Sequence, residues 1–143
     1  MDWEVIAQKL ESLRRALHRV ETRCPDSVDA LLEDYDAQDI LALNLTRAVQ
    51  VCVDIGASMA STLEFSPPDT MGELFDRLSE VGVIAPDLAL RMKKAVGFRN
   101  FAVHNYEAIN WAIVYAIARN HTTDFQEFAR AVIAFRDREL QGL

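Results

Sequence analysis

Residues 38–63 read QDILALNLTRAVQVCVDIGASMASTL. The apolar side chains Ile40, Leu41, Leu43, Leu45, Val49, Val51, Val53, Ile55, Met59 and Leu63 fall nearly all round a helical wheel. A helix that is apolar on every side belongs at the centre of a bundle. One polar line interrupts it at helical spacing: Asn44, Arg47, Asp54, Ser58 and Ser61. Arg47 and Asp54 lie two turns apart, so both leave the helix on one face. Buried charges need partners. The line therefore pairs internally, faces a second copy of the chain, or lines a site, and Arg47 and Asp54 are supporting site candidates.

The segments on either side are amphipathic helices. Before the central one, Trp3, Ile6, Leu10, Leu13, Leu17 and Val20 recur at spacings of 3, 4, 3, 4 and 3, the seam of a helix packed in a bundle. Cys24-Pro25 ends it, and Asp26 or Ser27 caps a short helix to about Glu33. After the central helix, Ser66-Pro67-Pro68 breaks the chain, and Thr70-Met71-Gly72-Glu73 is a capping box opening a helix to about Glu80. Gly82 closes that helix and Pro86 opens a fifth. Leu88, Met92, Ala95, Phe98 and Ala102 line one side of the fifth, to about Val103. A sixth helix is expected over Glu107–Asn120, and a capping box at Thr123-Asp124-Phe125-Gln126 opens the last, with Phe125, Phe128, Val132 and Phe135 inward. No segment has strand periodicity. The expectation is an all-α antiparallel helical bundle, one domain over residues 1–143.

Composition agrees. Five glycines and four prolines in 143 residues are too few turn residues for a many-stranded fold, and a hydrophobic share of 50% excludes a disordered chain. Unbroken apolar runs are short and the first residues are not a secretory signal, so a cytoplasmic location without membrane contact is expected. Cys24 and Cys52 belong to no ligand pattern and read as reduced thiols. The net charge of −7 argues against a broad nucleic-acid-coating surface. The charge is uneven, however. Asp26 to Asp39 holds six acids and no base, whereas Arg91 to Tyr106 holds Arg91, Lys93, Lys94 and Arg99 and no acid. Arg14, Arg15, Arg19 and Arg23 form a second basic group, equally readable as a solvated helix face.

Phosphate loops, dinucleotide fingerprints, zinc-protease motifs and nucleophile elbows are absent, and His18, His104 and His121 are too scattered to hold a metal. What remains is Gly97-Phe98-Arg99-Asn100-Phe101-Ala102-Val103-His104-Asn105-Tyr106, with the pattern R-x4-H-x-Y. Arg99 and His104 lie about 140° apart on an ideal helix. They meet only if the helix ends near His104 and the long arginine reaches back. A plain structural reading also exists, in which the histidine sits at a helix end, the arginine pairs an acid and the tyrosine covers the core.

The stretch LSEVGVIAPDLALRMKKAVGFRNFAVHNY, residues 78–106, resembles the HepT toxins of the HEPN superfamily, also known as the DUF86 family. The GVI turn at Gly82-Val83-Ile84, the VGFRN entry and the R-N-x3-H-x-Y run carry the likeness. The piece from Val51 to Gly56 also resembles that family's buried aspartate-containing helix. The resemblance implies a homodimeric, metal-independent endoribonuclease toxin without a cofactor, in which two R-x4-H motifs meet at a cleft. It also implies a minimal nucleotidyltransferase antitoxin that silences the toxin by transferring AMP to Tyr106. RNA brings its own nucleophile, the 2′-OH. His104 can then move the proton, Arg99 can stabilise charge on the phosphate, and Asn100 can position either group. Arg91, Lys93 and Lys94, upstream on the same helix, are candidates for holding the RNA backbone. The alternative is a non-catalytic helical dimer that binds nucleotide or a nucleotidyltransferase partner.

Overall fold

Side-chain caps mark most of the helix starts. Asp2 accepts a hydrogen bond from the Val5 amide at 3.1 Å and opens α1 (Trp3–Arg23), which Pro25 then stops. Ser27 caps α2 (Val28–Glu33) through the Ala30 amide. Asp34 caps the central α3 (Tyr35–Ala60) through the Ala37 amide. The helix thus begins and ends three residues earlier than its apolar pattern suggests. A cap one residue past α2 fixes its start, and at the far end the Thr62 and Leu63 amides both turn back onto the Met59 carbonyl. In α4 (Met71–Glu80) the Thr70 hydroxyl accepts from the Glu73 amide at 3.1 Å. The Glu73 carboxylate reaches back to the Asp69 amide at 2.9 Å, one residue beyond the usual capping-box partner. Gly82, at φ +82°, makes the left-handed turn that leads to α5 (Pro86–His104).

The last third of the chain departs from its sequence pattern in two places. The helix expected over 107–120 is split into a 3₁₀ turn, Tyr106–Ala108, and α6 (Trp111–Asn120). The Asn110 side chain captures the Ala112 amide at 3.0 Å while Ile109 is extended, so a new helix starts there. The capping box at Thr123 is also unused. α7 (Thr122–Gln141) follows α6 across a single non-helical residue, His121, which provides no side-chain cap. Asp124, in its first turn, accepts from Arg91 of α5 at 2.6 Å.

In this computed structural model, which describes residues 1–142, the described residues contain no strand. Leu143, the last residue of the expected domain, lies outside them. α1, α4, α5, α6 and α7 all pack on α3. Leu41, Leu45, Val49, Cys52, Ile55 and Met59 of α3 are buried among Leu13, Leu17, Phe75, Leu78, Met92 and Phe128 of its neighbours. Each such side chain removed from water stabilises the fold by about 1.5–3 kcal/mol. α4 packs tightly on α3 at Gly56, where a Cβ would lie 2.9 Å from Leu74 Cδ2. α3 is long and apolar enough by composition to cross a membrane, but the surrounding helices bury much of it. The arrangement leaves the C-terminal end of α5 beside the N-terminal half of α3, and the polar side chains gather there.

Candidate active site

α5 ends at His104 because Asn105 leaves the helix at φ −137°, ψ 46° while its amide still bonds the Phe101 carbonyl at 2.8 Å. Arg99 is half-buried one turn earlier, and its guanidinium donates to Asn100 Oδ1 at 3.1 Å. Asn100 therefore orients Arg99. Among the described residues no carboxylate pairs with that guanidinium, and no hydrogen bond joins it to His104. The His104 side chain is exposed and makes no hydrogen bond there. One chain thus presents both groups at one end of α5, yet on sides of the helix about 140° apart.

His104 shares the outer side of α5 with Leu90, Gly97 and Phe101, whose spacings of seven, four and three put them on one face. Leu90 is 55% exposed and Phe101 45%, and a Cβ on Gly97 would meet no atom within 4 Å. An apolar strip with a mid-helix glycine facing open space has no partner among the described residues.

Tyr106 begins the 3₁₀ turn. Its ring stands edge-on to Trp111 at 5.9 Å, the residue stays 39% exposed, and its hydroxyl donates to the Asp39 carboxylate on α3. Burial, that hydrogen bond and the negative charges of Asp39 and Glu107 push the phenol up to about 12, so it remains protonated at neutral pH. Asp39 was invisible as a site residue in the sequence, where it closes an acidic run with no spacing relation to the motif.

Asp39 also lines a cleft of about 350 Å³ with Arg19, Arg23, Ile40, Leu43, Asn44 and Arg47. A second cleft adds Ser12 and Arg15 along the same α1–α3 face. Arg19, Arg23 and Arg47 have no ion-pair partner among the described residues. Asn44 donates to the Ile40 carbonyl at 2.8 Å, and its buried Oδ1 has no partner. The polar line of α3 therefore divides. Arg47 faces the arginines of α1, whereas Asp54 accepts from Gln50 at 2.9 Å and takes no part in the cleft.

The upstream cations are placed differently from one another. Arg91 bridges α5 to α7, donating to Asp124 at 2.6 Å and Glu127 at 2.8 Å, and it also pairs with Asp87 at 3.1 Å. Hydrogen bonds to Glu127 and Asp124 raise its already high pKa. Lys93 pairs with Asp76 of α4 at 2.9 Å. Both charges are engaged inside the fold. Lys94 is exposed, has no ion pair among the described residues, and borders an apolar cleft of about 190 Å³ with Leu45, Phe98, Ile117 and Phe125. Among the described residues no three His, Cys, Asp or Glu side chains converge as a metal site.

Known proteins share this arrangement of helices and sequence. The mRNA nuclease HepT of Shewanella oneidensis is 29% identical over 131 residues, which are 92% of this chain and 98% of that one. The crystal structure of a toxin–antitoxin with AMP-PNP contains a chain of TM-score 0.86 and 28% identity, covering 92% of this chain and 98% of that chain. A structure of the tri-AMPylated Shewanella oneidensis HEPN toxin in complex with MNT antitoxin matches with TM-score 0.86 and 29% identity, over 94% of this chain and 99% of that one. Residues 13–132, from the middle of α1 to the middle of α7, match the ribonuclease HepT-like family, and the chain belongs to that family.

Proposed function

We propose that this chain is the toxin of a toxin–antitoxin pair: a metal-independent endoribonuclease that acts as a homodimer in the cytoplasm and is silenced by AMP transfer to Tyr106. The observation that carries the reading is the open face of α5, where His104 stands free beside Gly97 and Phe101 with Arg99 oriented one turn away. The nuclease and AMPylated-toxin relatives support it.

The chemistry follows from the substrate. The 2′-OH of RNA is a neighbouring nucleophile for its own phosphate, so cleavage needs a base for that hydroxyl, an acid for the leaving 5′-oxygen, and a cation for the charge growing on the phosphate. One imidazole cannot hold both protonation states at once. A second chain laid across the α5 face supplies the other histidine, one acting as base and its mate as acid. The planar Arg99 fork, held by Asn100, matches two phosphate oxygens. Lys94 and the arginines of the α1–α3 cleft provide cations for the rest of the backbone. RNA should be cut in excess EDTA, leaving a 2′,3′-cyclic phosphate or a 3′-phosphate, as read by end-labelling and mass spectrometry. Cleavage that stops in chelator and returns with added magnesium overturns the metal-independent mechanism.

The dimer has its own test. Gly97 costs about 1 kcal/mol of helix propensity relative to alanine, and among the described residues no atom near it requires the small residue. Light scattering should give the mass of two chains for the wild type at micromolar concentration. Gly97→Leu should fold with unchanged helical signal, shift toward the mass of one chain, and lose RNA cleavage in parallel. A wild-type mass of one chain, or an active monomer, rejects the shared site.

A further inference from the structure

We propose that Asp39 is the general base that activates Tyr106 for AMP transfer, so that the toxin itself carries part of the machinery that silences it. This rests on the reading of Tyr106 as the AMP acceptor. The Tyr106 hydroxyl already donates its proton along the line to the Asp39 carboxylate, and the edge-on Trp111 ring at 5.9 Å limits how the phenol can turn. In the transfer step the Tyr106 oxygen forms a bond to the α-phosphorus of ATP. The bond from that phosphorus to the bridging oxygen breaks, pyrophosphate leaves with the electron pair, and the phenolic proton passes to Asp39.

A base is needed because the phenol is held neutral. With the hydroxyl pushed up to about 12, the phenolate fraction at pH 7.5 is on the order of one in 10⁴–10⁵. The same two carboxylates that disfavour the free phenolate, Asp39 and Glu107, differ in placement, since only Asp39 receives the hydroxyl hydrogen. Removal of the proton during attack avoids the free anion altogether. On the other side of Asp39, the cleft brings Arg19 and Arg23 of α1 and Arg47 of α3 to the same place. Their charges suit an incoming triphosphate and offset the negative charge of the carboxylate.

The test follows AMP addition by intact mass and peptide mapping, using the full-length chain, its cognate nucleotidyltransferase, ATP and Mg²⁺ between pH 6 and 8.5. Asp39→Asn keeps an oxygen to accept the hydrogen bond but cannot take the proton. It should slow AMP addition about a hundredfold, with a rate that climbs roughly tenfold per pH unit as the phenolate takes over. The wild-type rate should change little over the same range, and Asp39→Glu should recover part of the loss. Asp39→Asn modified at the wild-type rate overturns the proposal. So does a slowed variant whose pH profile runs parallel to the wild type, since that marks a merely structural contact. If Asp39→Asn loses helical signal, Asp39→Glu decides: recovery with the wild-type profile supports a carboxylate base, and no transfer by a folded Asp39→Glu rejects it. No mass gain on the wild type, or an equal gain on Tyr106→Phe, instead removes the acceptor assignment and the Asp39 role with it.

Discussion

His104→Ala lowers RNA cleavage by about 10³–10⁴-fold, and Arg99→Ala by about 10²–10³-fold, while the melting temperature of each variant stays near that of the wild type. The size of the first effect comes from proton transfer, which contributes about 10²–10⁴ in rate for a positioned group. The substitution removes base and acid together in a homodimer, and groups that act as a unit do not multiply their losses. The second is the usual loss when a donor to developing phosphate charge is deleted. Stability should hardly move. Among the described residues His104 is exposed and makes no hydrogen bond, and the one hydrogen bond of the Arg99 guanidinium goes to the neighbouring Asn100, so each change falls within about 0.5 kcal/mol. Arg99→Lys should not restore the rate, because a single ammonium cannot present two parallel donors. Full activity in His104→Ala, measured on a labelled RNA in chelator, sinks the mechanism.

Tyr106→Phe takes up no AMP and remains toxic when the nucleotidyltransferase partner is co-expressed. Deleting one oxygen removes the nucleophile entirely but leaves the ring packed on Trp111. The lost hydrogen bond to Asp39, at a partly exposed position, costs about 1 kcal/mol of stability. RNA cleavage should therefore persist, because the phenol lies outside the Arg99–His104 chemistry. In the wild type, AMP on this oxygen places a nucleoside and at least one phosphate charge two residues past His104. The added phosphate faces the arginines of the α1–α3 cleft and competes there with the RNA backbone. The measurement is colony survival with and without the partner, together with the intact mass of the purified toxin. Neutralisation of Tyr106→Phe without any AMP-sized gain would show that complex formation alone silences the enzyme.

The legible part of this protein is the part decided within a few residues of chain. Apolar positions three and four apart and caps such as Ser27 and Thr70 act over one or two turns, so the number and order of the helices and the end of α5 near His104 can be read directly. The motif could be found for the same reason: Arg99, Asn100, His104 and Tyr106 lie within eight consecutive residues. Two local signals misled. Asn110 captured an amide inside an apparently continuous helix, and the Thr123 box is unused, its Gln126 side chain donating to Glu21 of α1 at 3.2 Å.

Residue order by itself determined an all-helical bundle around a central helix, placed by its apolar pattern at about residues 38–63, and the pairing of a basic, histidine-bearing helix end with a tyrosine. Only the tertiary structure decided which charges stay free. Arg91 looked like a substrate cation until α7 brought Asp124 and Glu127, 33 and 36 residues away, onto its guanidinium. Asp39 looked like one more acid until the fold set it against Tyr106, 67 residues on. Local sequence carries no record of such distant encounters. A guanidinium or a phenol takes its chemistry from the charges within a few ångströms, and packing on α3 selects which ones arrive.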